Sequence, residues 1–395
     1  MDKLIYMDNA ATTSTAPEVV SAMLPFFTEY YGNPSSVYNF AQKSKMAIED
    51  AREIIADSIG AAKSNEIYFT GGGSESDNWA LKSAAFGLRN KGNHIITTKI
   101  EHHAILNTCA YLEKNGFEIT YLDVDSEGFV SLEDVENAIT KKTILISVMF
   151  ANNEIGTIEP VCEIGEIAHK HGILFHTDAV QAMCHVPINV TEMNIDLLSA
   201  SAHKFHGPKG VGFMYMKNSA KLEPFIHGGA QERARRAGTS NVPGIVGMGQ
   251  AVKLALSTLD KDTHTIINMR NYIVDRILGE IPDVTFDGPC IDANAVSAGS
   301  PAGSLKRLPS NMHFCFKDVS GDSLLIMLDM NGICASSGSA CAAGSIDPSH
   351  VLLAIGRSKG ETKGALRLSI DKDLTKEDAD YAIDALKAAV ARLRR

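Results

Sequence analysis

No C-x-x-C pair occurs among the seven cysteines, which sit at 109, 162, 184, 290, 315, 334 and 341. Their odd number and scattered spacing offer neither a disulfide framework nor a zinc-ligand set. Six of them are expected as buried, reduced thiols; Cys341 is the exception. Basic charge is also in short supply: 37 Lys and Arg face 47 Asp and Glu, a formal net charge of −10. A general nucleic-acid binder would need a basic face to neutralise phosphates. Long apolar runs are missing too. The longest, residues 143–151, falls short of the roughly 18 residues of a membrane helix. Residues 1–15 carry Asp2, Asp8 and Asn9 and lack the apolar stretch of a secretory signal. The turn Gly71-Gly-Gly73 matches neither G-x-G-x-x-G nor G-x-x-x-x-G-K-[ST], so a dinucleotide or ATP site lacks its fingerprint. These absences leave a soluble, cytoplasmic protein as the expectation, with no metal site and neither nucleic acid nor membrane as partner.

What is present is enough for large cores. Hydrophobic residues make up 45% of 395, a length that suits two or three domains at ~150 residues each. Short β-branched and aromatic runs at 66–70, 94–98, 118–122, 143–150, 173–178, 197–202 and 211–217 alternate with helical patterns such as 77–86, 131–139 and 163–171. That alternation predicts a largely parallel α/β sheet. Ser131 with Asp134, and Thr375 with Asp378, read as helix-capping pairs. Beyond about residue 247 the texture changes. Residues 250–280 read as long helical segments and 290–304 as a surface loop. Strands at 311–316 and 365–370 and a closing amphipathic helix then suggest a smaller α/β domain.

Chemistry concentrates in a few segments. A strand runs into Ser201, His203 and Lys204 and breaks at Gly207-Pro208. A lysine among hydroxyl and imidazole groups at a buried strand end needs a partner, and a Schiff base with an aldehyde provides one; a surface lysine on a turn is an equal reading of this segment alone. Asp178 closes an apolar strand, where its carboxylate calls for a cation. A protonated pyridine nitrogen would serve, as would a capping role at the next helix. The Gly-rich turn before Ser74 feeds a helix N-terminus, a ready anion site, although such turns are commonly only turns.

Together the segments resemble the fold-type I pyridoxal-phosphate enzymes of the class-V aminotransferase family, and closely the NifS/IscS-type (group I) cysteine desulfurases. The matching motifs are Tyr6-Met-Asp-Asn-Ala-Ala-Thr-Thr13, Gly32-Asn-Pro-Ser-Ser36, Phe69-Thr-Gly-Gly-Gly-Ser-Glu-Ser-Asp-Asn78, Glu101-His102 and Asn152-Asn-Glu-Ile-Gly156. They continue with His176-Thr-Asp-Ala-Val-Gln181, Ser201-Ala-His-Lys204, Arg236-Ala-Gly-Thr239 and Ser336-Ser-Gly-Ser-Ala-Cys341. The resemblance implies a large domain, residues 15–258, with a mostly parallel seven-stranded sheet flanked by helices. It implies a small α/β domain from 1–14 and 259–395 that carries the catalytic cysteine loop.

Roles follow from the resemblance residue by residue. Lys204 would be the Schiff-base lysine, Asp178 the partner of the pyridine nitrogen, and Gln181 the partner of the ring hydroxyl, with Asn153 nearby. His102 would stack on the ring and shuttle protons. Gly73, Ser74, Ser201 and His203 would hold the phosphate. Thr239 would reach the phosphate of a second subunit, implying a homodimer with shared active sites. Arg367 would bind the substrate carboxylate, a task suited to a guanidinium fork, with Asn153 beside it. A surface salt bridge for Arg367 and a core position for His102 are the structural alternatives. Cys341 would be the nucleophile toward the sulfur of L-cysteine, because the thiolate is the attacking form. Alanine would leave, and a Cys341 persulfide would remain for a sulfur-acceptor protein such as an iron–sulfur scaffold, with transient contact between Cys341 and the cluster. Ser74 stands where the family usually has Thr, Tyr38 and Ala41 where it has His and Gly, and residues 291–305 look like an insertion. Selenocysteine lyase and class-V aminotransferase activities stay open as alternatives.

Overall fold

The computed structural model describes residues 4–220, 222–290, 305–337 and 348–395. Twelve strands occur among them: β1 (Ile5–Tyr6), β2 (Ile67–Thr70), β3 (His94–Thr98), β4 (Glu118–Leu122), β5 (Thr143–Ser147), β6 (Leu174–Asp178), β7 (Leu197–Ser201), β8 (Gly212–Met216), β9 (Val284–Phe286), β10 (Asn311–Phe316), β11 (Ile333–Cys334) and β12 (Ala365–Ser369). Seven of them form the large sheet, in the order β2-β8-β7-β6-β5-β3-β4. Only β8 runs against its neighbours; the remaining pairs are parallel.

The near-continuous apolar reading of these strands has a physical cause: both faces are covered. Successive side chains point to opposite sides, and the core divides accordingly. Ile67, Phe69, Ile96, Ile146, Leu198 and Phe213 enter one cluster, whereas Tyr68, Ile95, Leu145, Leu197 and Met214 enter another. The second cluster is completed by Trp79, Leu81 and Ala84 of the helix Gly73–Gly87 and by Ile105, Cys109 and Leu112 of His103–Lys114. The first is completed by the helices Asn39–Ser58 and Val161–Lys170 and by the start of Val242–Glu280.

A second assembly closes over the carboxyl ends of the parallel strands. β10 pairs antiparallel with β12 and β9, and β1 pairs parallel with β11. Ile5 and Met7 pack with Phe314, Leu366, Leu368 and the closing helix Lys376–Leu393 in a separate core. Val242–Glu280 is one uninterrupted helix where two or more segments are expected from the sequence. Its N-terminal residues Ile245 and Met248 belong to the large-sheet core, and Ile266, Ile273 and Ile277 belong to the small one. It is long and apolar enough to cross a membrane by length and composition alone. The buried residues just named account for that composition within the fold.

Other departures are local. β2 starts at Ile67 because Ser64–Glu66 forms a 3-10 turn. The helix after it starts at Gly73 rather than at Asp77, so the glycine turn is itself the helix entry. β9 was not foreseen. Both capping pairs are present: Ser131 Oγ accepts the Asp134 N–H at 3.2 Å and Thr375 Oγ1 accepts the Asp378 N–H at 3.1 Å. The cysteines correct the expectation of burial, since Cys162 and Cys290 are exposed and Cys334 is half-buried, although these and Cys109, Cys184 and Cys315 are all free thiols.

Candidate active site

In a parallel α/β sheet the loops at the carboxyl ends of the strands converge, and here they enclose a cavity of about 700 Å³. β6 delivers Asp178 at its last residue, followed by Val180 and Gln181. β7 delivers Ser201, followed by His203 and Lys204 in the 3-10 turn Ala202–Lys204. β2 delivers the glycine turn and Ser74, β3 leads to His102, and β5 leads to Asn153. The small sheet closes the far side through Arg367 of β12. Gly73, Ser74, His102, Asn153, Asp178, Gln181, Ser201, His203, Lys204 and Arg367 therefore line one cavity.

Lys204 Nζ donates to the carbonyl oxygens of Ala10 and Ala11, at 2.6 and 2.8 Å, so the N-terminal segment holds the amine in place. Gln181 Nε2 donates to the same Ala10 oxygen at 3.0 Å. Asp178 is 5% exposed. Burial pushes its carboxyl up, against the pull of His102, the Val180 N–H and Lys204; that N–H donates to Oδ1 at 2.9 Å. His102 caps the helix His103–Lys114, its Nδ1 accepting the Ala104 N–H at 3.2 Å, which leaves Nε2 to carry the proton of the neutral ring. His203 is held down at about 4 by burial and then by Lys204 and Lys209, so at neutral pH it is uncharged. Its Nδ1 lies 3.1 Å from Thr12 Oγ1.

The helix Gly73–Gly87 begins with no side-chain cap. Gly72 has φ +147°, a conformation suited to glycine. A Cβ on Gly73 would come within 2.5 Å of Val180 Cγ2. The backbone amides of this turn thus approach the cavity closely, as an anion site at a helix N-terminus requires. Pyridoxal phosphate fits these groups: an amine, a buried carboxylate that lacks a full counter-charge, a neutral imidazole and an uncapped helix end share one cavity.

Arg367 is 1% exposed, and the surface salt bridge offered as its alternative is not what the fold builds. Its Nη2 pairs with Asp8 Oδ1 at 2.9 Å and its Nη1 donates to the Asn153 carbonyl at 2.9 Å. Thr239 lies elsewhere, in a separate cavity of about 160 Å³ with Glu232 and Arg236. Its segment follows three consecutive left-handed residues, Glu232, Arg233 and Ala234, with φ 44°, 56° and 60°, a strained turn. The buried Arg52–Glu232 pair at 2.8 Å anchors it. Cys341 lies outside the described residues, as do 291–304 of the expected insertion.

Sequence reasoning passed over several cavity groups. Asp77 lines the floor; burial first, then the Asp178 charge, pushes its carboxyl well up. His103 and His350 also line the wall, their rings 4.8 Å apart. Asp77 sits inside the Phe69–Asn78 motif, so the signal was present without a role attached.

Residues 5–382 match the class-V aminotransferase family. The chain belongs to that family of fold-type I, pyridoxal-phosphate-using enzymes. Within it, the relatives are specific. The cysteine desulfurase IscS of Clostridium botulinum (strain Hall) is 54% identical over 394 residues, 100% of this chain and 96% of that protein. IscS of Methanosarcina thermophila is 51% identical over 100% of this chain and 93% of that protein. A solved NifS-like protein superposes with a TM-score of 0.89 at 35% identity, covering 99% of this chain and 100% of that one. SspA solved in complex with cysteine gives a TM-score of 0.79 at 38% identity over 93% and 99%. The chain is thus one of the NifS/IscS-type cysteine desulfurases.

Proposed function

We propose that this chain takes sulfur from L-cysteine with pyridoxal phosphate as cofactor, yielding L-alanine and a persulfide on Cys341 for an acceptor protein. The observation that carries the reading is the convergence of Lys204, Asp178, His102 and Arg367 on one cavity in a chain 54% identical to an IscS. When bound, the cofactor supplies an electron sink for charge developing at the substrate Cα.

The chain's own groups do the rest. Lys204 Nζ would hold the cofactor covalently and, once displaced by the substrate amine, would be the free base that moves the Cα proton. Asp178 would hold the ring nitrogen and Gln181 the ring hydroxyl, and His102 would stack on the ring and move protons. Gly73, Ser74, Ser201 and His203 would hold the phosphate, His203 as a neutral donor. Arg367, oriented by Asp8 and Asn153, takes the substrate carboxylate. The Cys341 thiolate attacks the substrate sulfur. An S–S bond forms as the C–S bond breaks, the electron pair returns to the substrate carbon, and protonation there completes alanine. Thr239, outside the cavity of its own chain, serves the phosphate of a second subunit in a homodimer. The division between the two domains falls near residue 258, inside the helix Val242–Glu280, with residues 1–14 joined to 259–395; the two cores that this helix enters support it.

The test is release of alanine and sulfide from L-cysteine with a thiol reductant and added pyridoxal phosphate. Equal amounts of both are expected. A Cys341→Ala protein should keep the cofactor's absorption and lose both products. Normal turnover by that variant would sink the assignment of Cys341, and a keto acid in place of alanine would sink the desulfurase reading.

A further inference from the structure

Beneath Asp178 lies a second carboxylate to which the mechanism assigns no work. Asp77, on the helix Gly73–Gly87, is 1% exposed. One of its oxygens, Oδ1, has no hydrogen-bond partner among the described residues. A carboxylate oxygen of Asp77, one of Asp178 and a ring nitrogen of His102 all lie within 4.8 Å of one another. Two carboxylates this close in a dry site do not both ionise.

The surroundings decide which of them holds the proton. Asp178 receives the Val180 N–H and feels the charge of Lys204. Asp77 has only the Ser199 hydroxyl to favour its anion. From β7 it meets the Ser199 hydroxyl. From β6 it meets His176 Nε2 at 3.8 Å and Asp178, and from the connection after β3 it meets Glu101. His176 brings no positive charge, because burial holds its ring down at about 3. Its two nitrogens are already taken by Ser147 Oγ at 2.9 Å and Ser199 Oγ at 3.0 Å. None of the groups that act on the Asp77 charge is a cation, and His102, within 4.8 Å of both carboxylates, favours neither over the other.

We infer that Asp77 is a positioning residue kept as a neutral carboxylic acid, which leaves Asp178 as the single anion on the cavity floor. The Ser147–His176–Ser199 chain reaches Asp77 with a hydroxyl, and Asp178 lies within 4.8 Å of it. The inference rests on the reading of Asp178 as the group facing the cofactor ring, and it adds a residue that sets the charge state and orientation of that group. A leucine-like side chain would be the cheaper way to fill a dry space. An acid is useful there because it is a donor without being a charge.

Two variants and two readouts test this. Asp77→Asn keeps the shape and the neutral charge. Its infrared difference spectrum against the unmodified chain, both without cofactor, should show the loss of one protonated-carboxyl band. With cofactor bound, the pH midpoint of its absorption band should stay within about 0.3 unit of the unmodified enzyme. If Asp77 is an anion, no such band is lost. The midpoint then falls by more than about one unit, because a negative charge on the cavity floor has been removed; either result overturns the inference. Asp77→Leu removes the donor and should weaken cofactor binding about tenfold. If it leaves affinity and midpoint untouched, the positioning role is overturned. Asp178→Asn is measured alongside. If it leaves the cofactor band in place, the reading of Asp178 has failed, whereas the infrared result on Asp77 stands or falls without cofactor.

Discussion

On the large-sheet side of the cavity, Asp178, Ser201 and Lys204 stand at or just past the ends of adjacent strands, β6 and β7. On the small-sheet side, Arg367 is oriented by partners far away in the chain: Asn153, 214 residues before it, and Asp8, 359 residues before it. The first wall is assembled by strand order and short turns, so its chemistry comes in contiguous motifs. The second exists only once the N-terminal segment has paired with the last strand, Asp8 opposite Ser369. The backing differs as well. Behind the first wall are buried groups with displaced protonation, His176 held down and Asp77 and Glu101 pushed up. In the small sheet, burial works to raise Asp287, but His313, Arg357 and Cys315 together hold its carboxyl below the usual range. One side excludes charge, and the other retains it by pairing.

The largest expected effect falls on the first wall. Lys204→Ala should lose the covalent cofactor band and reduce alanine formation on the order of 10³-fold, while the fold persists, because Lys204 serves no core. Retention of more than a tenth of the activity would show that the amine is not the reacting one. A change on the second wall should act differently. Arg367→Lys keeps the charge and loses the planar fork. The expected result is an increase in KM for L-cysteine of about tenfold or more with the cofactor band unchanged. An altered band with unchanged KM would place Arg367 with the cofactor instead of the substrate, and the contrast between the walls would fail.

The same contrast explains what could be read in advance. The seven strands of the large sheet were legible because cover on both faces makes each a short apolar run bounded by turns. The motif residues at their carboxyl ends came with them. Burial across the chain was not legible. Arg367 left a surface salt bridge open because nothing near Ala365-Leu-Arg-Leu-Ser reveals Asp8 as its partner. Asp77 was quoted within a motif and given no role, since a carboxylate on a helix reads as solvent-facing until the fold covers it. Thr239 is placed by a strained turn and by the Arg52–Glu232 pair, neither of which has a period or a signature. β9 is only three residues long and half-covered, too short for alternation to register.

Acid sensitivity gives the smallest effect and the finest separation of the two sides. His176 is fully enclosed, with both ring nitrogens bonded to Ser147 and Ser199, and burial brings it from 6.5 to about 3. The unfolded chain therefore binds a proton below about 6.5 that the folded chain refuses until about 3. Because stability follows the difference in bound protons, this group's contribution is complete above pH 6.5 and declines as pH falls toward 3. Asp287 is depressed instead from 3.8, so its contribution is still present at pH 5 and is lost only as pH falls further, through its folded value. Asp77 and Glu101 act in the opposite sense: their protons are held in the folded state, and their stabilisation weakens as pH rises. Thermal unfolding of the cofactor-free chain between pH 7 and pH 5 should thus report on the large-sheet side. His176→Asn, which keeps hydrogen-bonding groups and removes the titration, should flatten the fall of Tm that His176 contributes across that interval, whereas Asp287→Asn, which removes a carboxyl that titrates below it, should leave the slope unchanged. If the two variants flatten it equally, the displaced protonation behind the first wall is not what distinguishes it from the second.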